Sequence, residues 1–278
     1  MENITISISE EAKIKKQEIV DKLISGEMVL SFSAIKQFAQ SPAHFMAYKL
    51  GQRVETPAMK KGTMIHCAIL EPEELENRYT ILKKEDLPNP ESDFRNTENK
   101  KFKELFEAKA TTEGKEIITP SDWDNLIAHR DLAYSNEAIA PYLNGLVKKE
   151  DYATWEFGGF NWRGVRDGVG KSYVLDLKTV ADADPSRTRY LCEQEKYHWQ
   201  QFLYKQAPDI SPFYTSFNLL VDGSMGISLH EISWSKLAKA ESELLKLLDR
   251  FKQCIELDQW HMNYEFWAES TKGYFIID

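Results

Sequence analysis

The stretch Gly164–Thr179, GVRDGVGKSYVLDLKT, contains two apolar segments separated by glycines and a polar turn. The glycines and Lys171 indicate a tight turn, so the two segments are predicted to be neighbouring strands. Asp167 lies in the first strand and Asp176 in the second, and the turn can bring both carboxylates to one region of the sheet. Lys178 follows two residues after Asp176, and alternate side chains of a strand share a face. The sequence thus predicts that two acids and an ammonium converge.

Hard oxygen ligands suit Mg²⁺, which prefers one or two carboxylates together with water and phosphate oxygens. An acid inside the apolar run YVLDL costs desolvation energy unless a cation or a metal accompanies it. Lys178 could orient a water or stabilise charge that develops on a phosphate. Asp176 and Lys178 would equally fit a salt bridge at a strand end, because structural ion pairs also place acids beside lysines. The spacing alone leaves both interpretations open.

The segments around this stretch predict an α/β fold with a mixed central sheet flanked by helices. Apolar spacing and capping residues predict helices over Ser9–Ile24, Ser33–Phe38, Ser41–Leu50, Thr63–Leu70, Asp122–Ala138, Lys196–Ala207 and Ser235–Leu257. Strands are predicted for ATWEFGG, FNWRGVRDGVG and SYVLDLKT, which form an antiparallel meander, and for FYTSFNLLV and GISLHEIS around the turn at Asp222-Gly223. The expected organisation is a single domain over 1–278, with a helical N-terminal part at about 1–140 and a core at about 150–258.

Composition and charge argue against several classes of protein. The net charge of −9 over 278 residues argues against binding nucleic acid by bulk positive charge. Three scattered cysteines indicate neither a disulfide framework nor a four-cysteine metal site. No apolar run is long enough for a membrane span, and the N-terminus has no secretion signal. We therefore expect a soluble cytoplasmic protein with no membrane association.

The order of Asp167, then Asp176-Leu177-Lys178, then QQFLY at Gln200–Tyr204 resembles the motifs of the PD-(D/E)XK nuclease superfamily. More narrowly, LSFSAIKQFAQSPAHFMAYKL, KKGTMIHCAILEPEEL, LDLKTVADADP and YHWQQFLY resemble the exonuclease VIII (RecE-type) branch of phage recombination nucleases. These blocks extend over roughly 30–204. The resemblance implies a PD-(D/E)XK nuclease core.

The resemblance also implies roles for individual residues. The implied metal ligands are His66, Asp167, Asp176 and the Leu177 carbonyl, with Lys178 as the catalytic lysine and with Gln200 and Tyr204 on the active-site wall or at the DNA strand. Glu156, on the strand before Asp167, is a further candidate acid. A lone histidine in a helix, such as His66, is by itself more often a core residue, although neutral imidazole is also the commonest metal ligand.

Two arginines flank Asp167 in the sequence, Arg163 and Arg166. Guanidinium groups suit bidentate contacts with phosphate, so we expect one of these arginines to reach DNA and the other to face solvent.

The implied function is a Mg²⁺-dependent 5′-to-3′ exodeoxyribonuclease, with Mn²⁺ as a possible substitute. It would degrade one strand of linear double-stranded DNA from an end and leave a 3′ single-stranded tail for a RecT-like annealing protein. Phage or prophage origin in a bacterial host cytoplasm is expected. A ring-shaped homo-oligomer, trimer or tetramer, would reconcile the acidic net charge with an inward DNA channel. The alternatives are a catalytically silent module that binds DNA ends or recruits a partner, and a related nuclease with an endonuclease or repair task.

Overall fold

The computed structural model of the chain describes residues 10–51, 56–92 and 96–267. The helices are α1 (Glu10–Ile24), α2 (Phe32–Phe38), α3 (Pro42–Lys49), α4 (Pro57–Leu70), α5 (Leu75–Arg78), α6 (Thr97–Thr112), α7 (Pro120–Ser135), α8 (Ala140–Asn144), α9 (Pro185–Glu195), α10 (Tyr197–Tyr204) and α11 (Trp234–Glu256). The strands are β1 (Val29–Leu30), β2 (Tyr79–Ile81), β3 (Glu116–Ile118), β4 (Leu146–Phe157), β5 (Phe160–Gly170), β6 (Tyr173–Val180), β7 (Thr215–Asp222) and β8 (Ile227–Glu231).

The central sheet has six strands in the order β1-β5-β6-β7-β8, with β4 also paired to β5. The neighbours β4 and β5, β5 and β6, and β7 and β8 are antiparallel, whereas β1 pairs with β5 and β6 with β7 in parallel. The predicted meander and the predicted β7–β8 hairpin are therefore confirmed. So is the mixed central sheet, because the crossover from β6 through α9 and α10 to β7 creates a parallel pair.

Each face of the sheet carries its own apolar core. One core joins α1, α2, α3, α10 and α11 to the sheet, with Trp162, Val174 and Phe251 fully buried. The other joins α4 and α7 to the sheet through Leu177 and Leu219. Val174 and Leu177 lie on opposite faces because side chains alternate along β6. Both cores mix N-terminal helices with C-terminal strands.

The helix boundaries differ from the predicted ones where two capping residues compete. Helix α2 is capped by Ser31, whose Oγ accepts the Ala34 N–H at 3.3 Å, and not by Ser33. Helix α7 is capped by Thr119 and ends at Ser135. The predicted first residue of α1, Ser9, lies outside the described residues.

The N-terminal part is not helical throughout. It contains three short strands, of which β1 joins the central sheet while β2 and β3 form a separate pair. The single domain over 1–278 stays a prediction. In the described parts of the chain, no helix combines the length and apolar character that crossing a membrane requires.

Candidate active site

The site lies beside β5, at the gap between the two strands that pair with one of its edges. On one edge of this strand, β1 pairs with Asn161–Trp162 and β6 pairs with Gly168–Val169. Between these ends, the Val165 carbonyl accepts a hydrogen bond from the Tyr204 hydroxyl at 2.7 Å. The Asp167 carboxylate accepts one from the Leu177 N–H, also at 2.7 Å. In this gap, side-chain hydrogen bonds replace part of the backbone hydrogen bonding between strands. Asp167 lies at the gap.

Asp167 and Asp176 lie next to each other where the pairing of β5 with β6 ends. The pairing stops at Gly168 and Leu175, and Asp167 and Asp176 are the next residue on each strand. The charge of Asp167 acts on Asp176, so the two carboxylates are close together. Asp176 is 1% exposed and Asp167 is 9% exposed. The predicted convergence of the two acids is therefore observed.

Lys178 is the close cationic neighbour of Asp176. Its Nζ lies 2.5 Å from Asp176 Oδ2 as an ion pair, yet neither carboxylate oxygen accepts a well-aligned hydrogen bond from any described group. Burial raises the pKa of Asp176 to about 6, which Lys178 opposes and Asp167 reinforces. A buried acid with so little compensation fits a position that awaits a cation.

His66 reaches the acids because α4 packs closely against β6. A Cβ at Gly62 would lie only 2.9 Å from Thr179 Oγ1, so the absence of a side chain permits this approach. One turn later, His66 Nδ1 lies 3.7 Å from Asp167 Oδ2. Burial, reinforced by the charge of Lys178, lowers the pKa of His66 to about 4, although the charge of Asp176 and a hydrogen bond to the Leu177 backbone oppose the shift. The imidazole is therefore neutral near pH 7, which is the form that binds metals.

The structure brings Glu150 to this site and does not bring Glu156. Glu150 lies between Lys149, which pairs with Gly168, and Asp151, which pairs with Arg166, so it stands opposite Asp167. One ligand atom from each of His66, Glu150 and Asp167 fits within 4.8 Å of the others. Glu156 pairs with Asn161 near the other end of β5 and lines a different cavity. The expectation for Glu156 is thereby corrected.

The register of the β4–β5 hairpin explains the correction. Gly158 and Gly159 form the turn, and Phe157 pairs with Phe160. Counting residues equally along both strands from this turn reaches Glu150 opposite Asp167, whereas Glu156 is left beside the turn. This count was available from the sequence, but it requires the strand to extend back beyond the apolar segment into KKED.

Gln200 and Tyr204 form a wall of the site from α10. Gln200 Nε2 donates to the Tyr204 hydroxyl at 2.7 Å, and that hydroxyl donates to Val165. Burial raises the pKa of Tyr204 well above its usual value, and the charges of Asp176 and Asp167 add to the shift. Tyr204 therefore stays protonated as a donor. Gly164 allows the contact, because a Cβ there would lie 2.9 Å from Tyr204 Cε1.

The two arginines have different environments. Arg166 is 1% exposed and donates to both carboxylate oxygens of Asp209, at 2.9 and 2.8 Å, and it also pairs with Asp151. It is an internal ion-pair residue, so the expectation that it reaches DNA or faces solvent is corrected. Arg163 is exposed and lines a cavity of 380 Å³ together with Gln200. Arg163 thus stays the candidate for a phosphate contact.

Cavities lie on two sides of the acids. The cavity with Arg163 is bounded by the Tyr204 wall. The other has a volume of 360 Å³, and its lining includes His66, Glu150, Glu71, Arg78 and Thr179. The two acids line neither cavity themselves, whereas His66 and Glu150 line one and Val165 and Tyr204 line the other.

The donor atoms around Asp167 fit a divalent metal. Asp167, Asp176 and Glu150 supply hard oxygens, His66 supplies a neutral nitrogen, and the Asp176 oxygens lack hydrogen bonds.

A second group of potential ligands, Glu193, His198 and Glu243, also lies within 4.8 Å. Its acids are already compensated, because Lys236 and Lys239 pair with Glu193 and the Trp199 indole N–H donates to Glu243 at 2.6 Å. The first group is therefore the better candidate for a metal position.

Residues 31–219, more than half of the 278-residue chain, match the family described as "PDDEXK-like domain of unknown function (DUF3799)". The chain belongs to this family. The match contains all the residues of the PDDEXK-like site, from His66 to Tyr204. The predicted PD-(D/E)XK core is thereby confirmed.

Comparison with solved structures agrees on the fold. A crystal structure from Eubacterium rectale, described as a "putative exonuclease", superposes on the PDDEXK-like chain with a TM-score of 0.57 and 15% sequence identity. The superposition covers 91% of this chain and 88% of that chain. A likeness at this identity shows the fold. A search among curated proteins finds no significant match.

Proposed function

We propose that this PDDEXK-like chain is a Mg²⁺-dependent deoxyribonuclease that acts on double-stranded DNA from an end. The observation that carries the proposal is the proximity of Asp167 and Asp176 where the β5–β6 pairing ends, with Lys178 on the face of Asp176. A buried acid without aligned hydrogen bonds, beside a second acid and one ammonium, suits a divalent cation and a phosphate better than a purely structural ion pair.

Different residues would have different roles in phosphodiester hydrolysis. Asp167, Asp176, His66 and the Leu177 carbonyl would hold the metal. When bound, the metal supplies a Lewis acid and lowers the pKa of water toward neutrality. Burial lowers the pKa of Lys178, but the charges of Asp176 and Asp167 outweigh burial and raise it overall. Lys178 therefore remains an ammonium, able to orient a water and to stabilise negative charge on the attacked phosphate.

Gln200 and Tyr204 of α10 form a wall of the site. Tyr204 keeps its proton and is anchored to β5, and Gln200 is held by Tyr204 while its own Oε1 has no partner among the described residues. Gln200 lines the cavity that also contains Arg163. We infer that this side of the site receives a DNA strand, with Arg163 contacting a phosphate.

The finer proposal is 5′-to-3′ exonuclease action that leaves a 3′ tail for a RecT-like annealing protein, in a phage or prophage recombination pathway. The four sequence blocks of the RecE-type branch support it, as does the fold shared with a structure described as an exonuclease. A ring of three or four copies would place DNA in an inner channel, so that an acidic outer surface accommodates the net charge of −9.

Linear duplexes labelled at the 5′ or the 3′ end, with Mg²⁺ or with a chelator, test this proposal. We expect 5′ label to be released first, in Mg²⁺ only, while closed circular DNA stays intact. Earlier release of the 3′ label would overturn the polarity. Cutting of the closed circle would favour the endonuclease alternative, and binding of ends without cleavage would favour the silent module.

A further inference from the structure

The PD-(D/E)XK motif assigns no role to Glu150, although its carboxylate lies close to His66 and Asp167. One ligand atom each of Glu150, His66 and Asp167 lies within 4.8 Å of the others. In the ranges 10–51, 56–92 and 96–267, no hydrogen bond or ion pair engages the Glu150 carboxylate, and Arg78 offsets its charge without contacting it. Donor atoms of this type at this spacing match the oxygen and imidazole ligands of a small divalent cation.

The charge around Glu150 is unbalanced. Asp167, Asp176 and Glu150 supply three carboxylates, and Lys178 is the ammonium that pairs among them. Loss of water raises the pKa of Glu150 to about 7, and the charges of Asp167 and Glu71 add to the shift while Arg78 opposes it. The site therefore holds more negative charge than its protein neighbours offset, and a divalent cation would remove that repulsion.

The backbone presents Glu150 to the site at a cost. Glu150 has a φ of 46°, in the left-handed region, and β4 shifts register nearby, between Leu146 and Lys148. A non-glycine residue in this conformation costs about 1–2 kcal/mol. Irregularities of this kind in a strand re-aim a side chain beside active sites. Here the carboxylate is directed at the cavity lined by His66 and Arg78.

Asp176 gives an independent indication of a cation in this space. It is 1% exposed, its Oδ1 and Oδ2 accept no aligned hydrogen bond from described groups, and its charge influences both His66 and Glu150. A buried carboxylate in this state has a desolvation cost that one ammonium offsets only in part.

We propose that Glu150 is a metal ligand additional to the PD-(D/E)XK motif, and that Glu150, His66 and Asp167 together hold a divalent cation at the mouth of the 360 Å³ cavity. Asp167 then lies between this position and the oxygens of Asp176 and Leu177. A cation held here would act on the phosphate of the proposed reaction, so its role in catalysis rests on the proposed function. Whether Glu150 is a metal ligand can be tested by metal binding alone.

Binding of Mn²⁺ to the full chain without DNA, followed by electron paramagnetic resonance and calorimetry, tests the role of Glu150. We expect Glu150→Gln to weaken Mn²⁺ affinity at one position by about 10-fold or more. Glu156→Gln is the matched control, since it removes the same charge from the same strand beside the β4–β5 turn. It should leave Mn²⁺ affinity unchanged. The metal-free Glu150→Gln protein should unfold at the wild-type temperature or above it, because the substitution relieves repulsion.

The outcomes separate this inference from the proposed function. Equal Mn²⁺ affinities for wild type and Glu150→Gln would overturn the metal-ligand role, even if the wild type cleaves DNA. Weakening by Glu156→Gln to the same extent would also overturn it, because the effect would then be general electrostatics. Selective weakening by Glu150→Gln supports the role, and it would do so even if labelled duplexes were never cleaved.

Discussion

Asp176→Asn is expected to lower the rate of DNA hydrolysis by about 10³-fold or more while the chain still folds. The amide keeps the shape of the carboxylate but removes the charge that would hold a divalent metal. Stability should not fall in the metal-free protein, because burial already raises the pKa of Asp176 to about 6 and so disfavours its charged form. Single-turnover release of nucleotides from a linear duplex in Mg²⁺, together with thermal melting, measures both effects.

Asp131→Asn provides the matched control for this substitution. The Asp131 side chain is 62% exposed and pairs with its neighbour Arg130, so its loss should leave the rate and the melting temperature unchanged. If the Asp176→Asn protein degraded DNA at the wild-type rate, Asp176 would be a structural residue only. That result would restore the salt-bridge interpretation of Asp176 and Lys178.

Arg166→Ala is expected to destabilise the protein by about 3 kcal/mol. The substitution removes a guanidinium that is 1% exposed and leaves Asp151 and Asp209 with the more exposed Lys148 as the cation they still share. Because both acids retain some contact with water, the loss should fall at the lower end of the range for a broken buried ion pair. Urea denaturation monitored by circular dichroism measures the change in unfolding free energy.

Arg163→Ala is the companion variant, three residues earlier on the same strand. Its side chain is exposed, so the unfolding free energy should change by no more than about 0.5 kcal/mol. Its affinity for duplex DNA should fall, with a shallower salt dependence, because one phosphate contact is lost. If Arg166→Ala instead retained wild-type stability and lost DNA affinity, the assignment of the two arginines would have to be exchanged.

Local sequence determined what could be predicted about the acids. Asp167 and Asp176 are joined by one short turn, so strand alternation and a hairpin place them together without knowledge of the rest of the fold. Lys178 follows from the same alternation. Helix α9 was not predicted, since its apolar spacing is weak and a proline begins it.

Residues whose environment is built by distant segments could not be placed in this way. One partner of Arg166 is Asp209, 43 residues later in a loop, and no local pattern links the two. His66 reaches Asp167 because Gly62 lets α4 approach β6, so its position depends on tertiary packing. The resemblance to a known family, and not the helical pattern, directed attention to His66.

The position of Glu150 could be predicted from the sequence only in part. The glycine turn fixes its register with Asp167, but the apolar segment of β4 begins only after it, so the strand was predicted too short. The polar run KKED looks like a loop by composition. Its pairing with β5 becomes evident only in the folded sheet.

Anomalous scattering from crystals soaked in Mn²⁺ would locate the metal relative to the two aspartates. We expect a peak between the carboxylates of Asp167 and Asp176 and the Leu177 carbonyl, at the metal–oxygen distances of about 2.0–2.2 Å typical of such ions. A peak confined to Glu193, His198 and Glu243, or no peak near Asp167 at saturating Mn²⁺, would contradict this expectation.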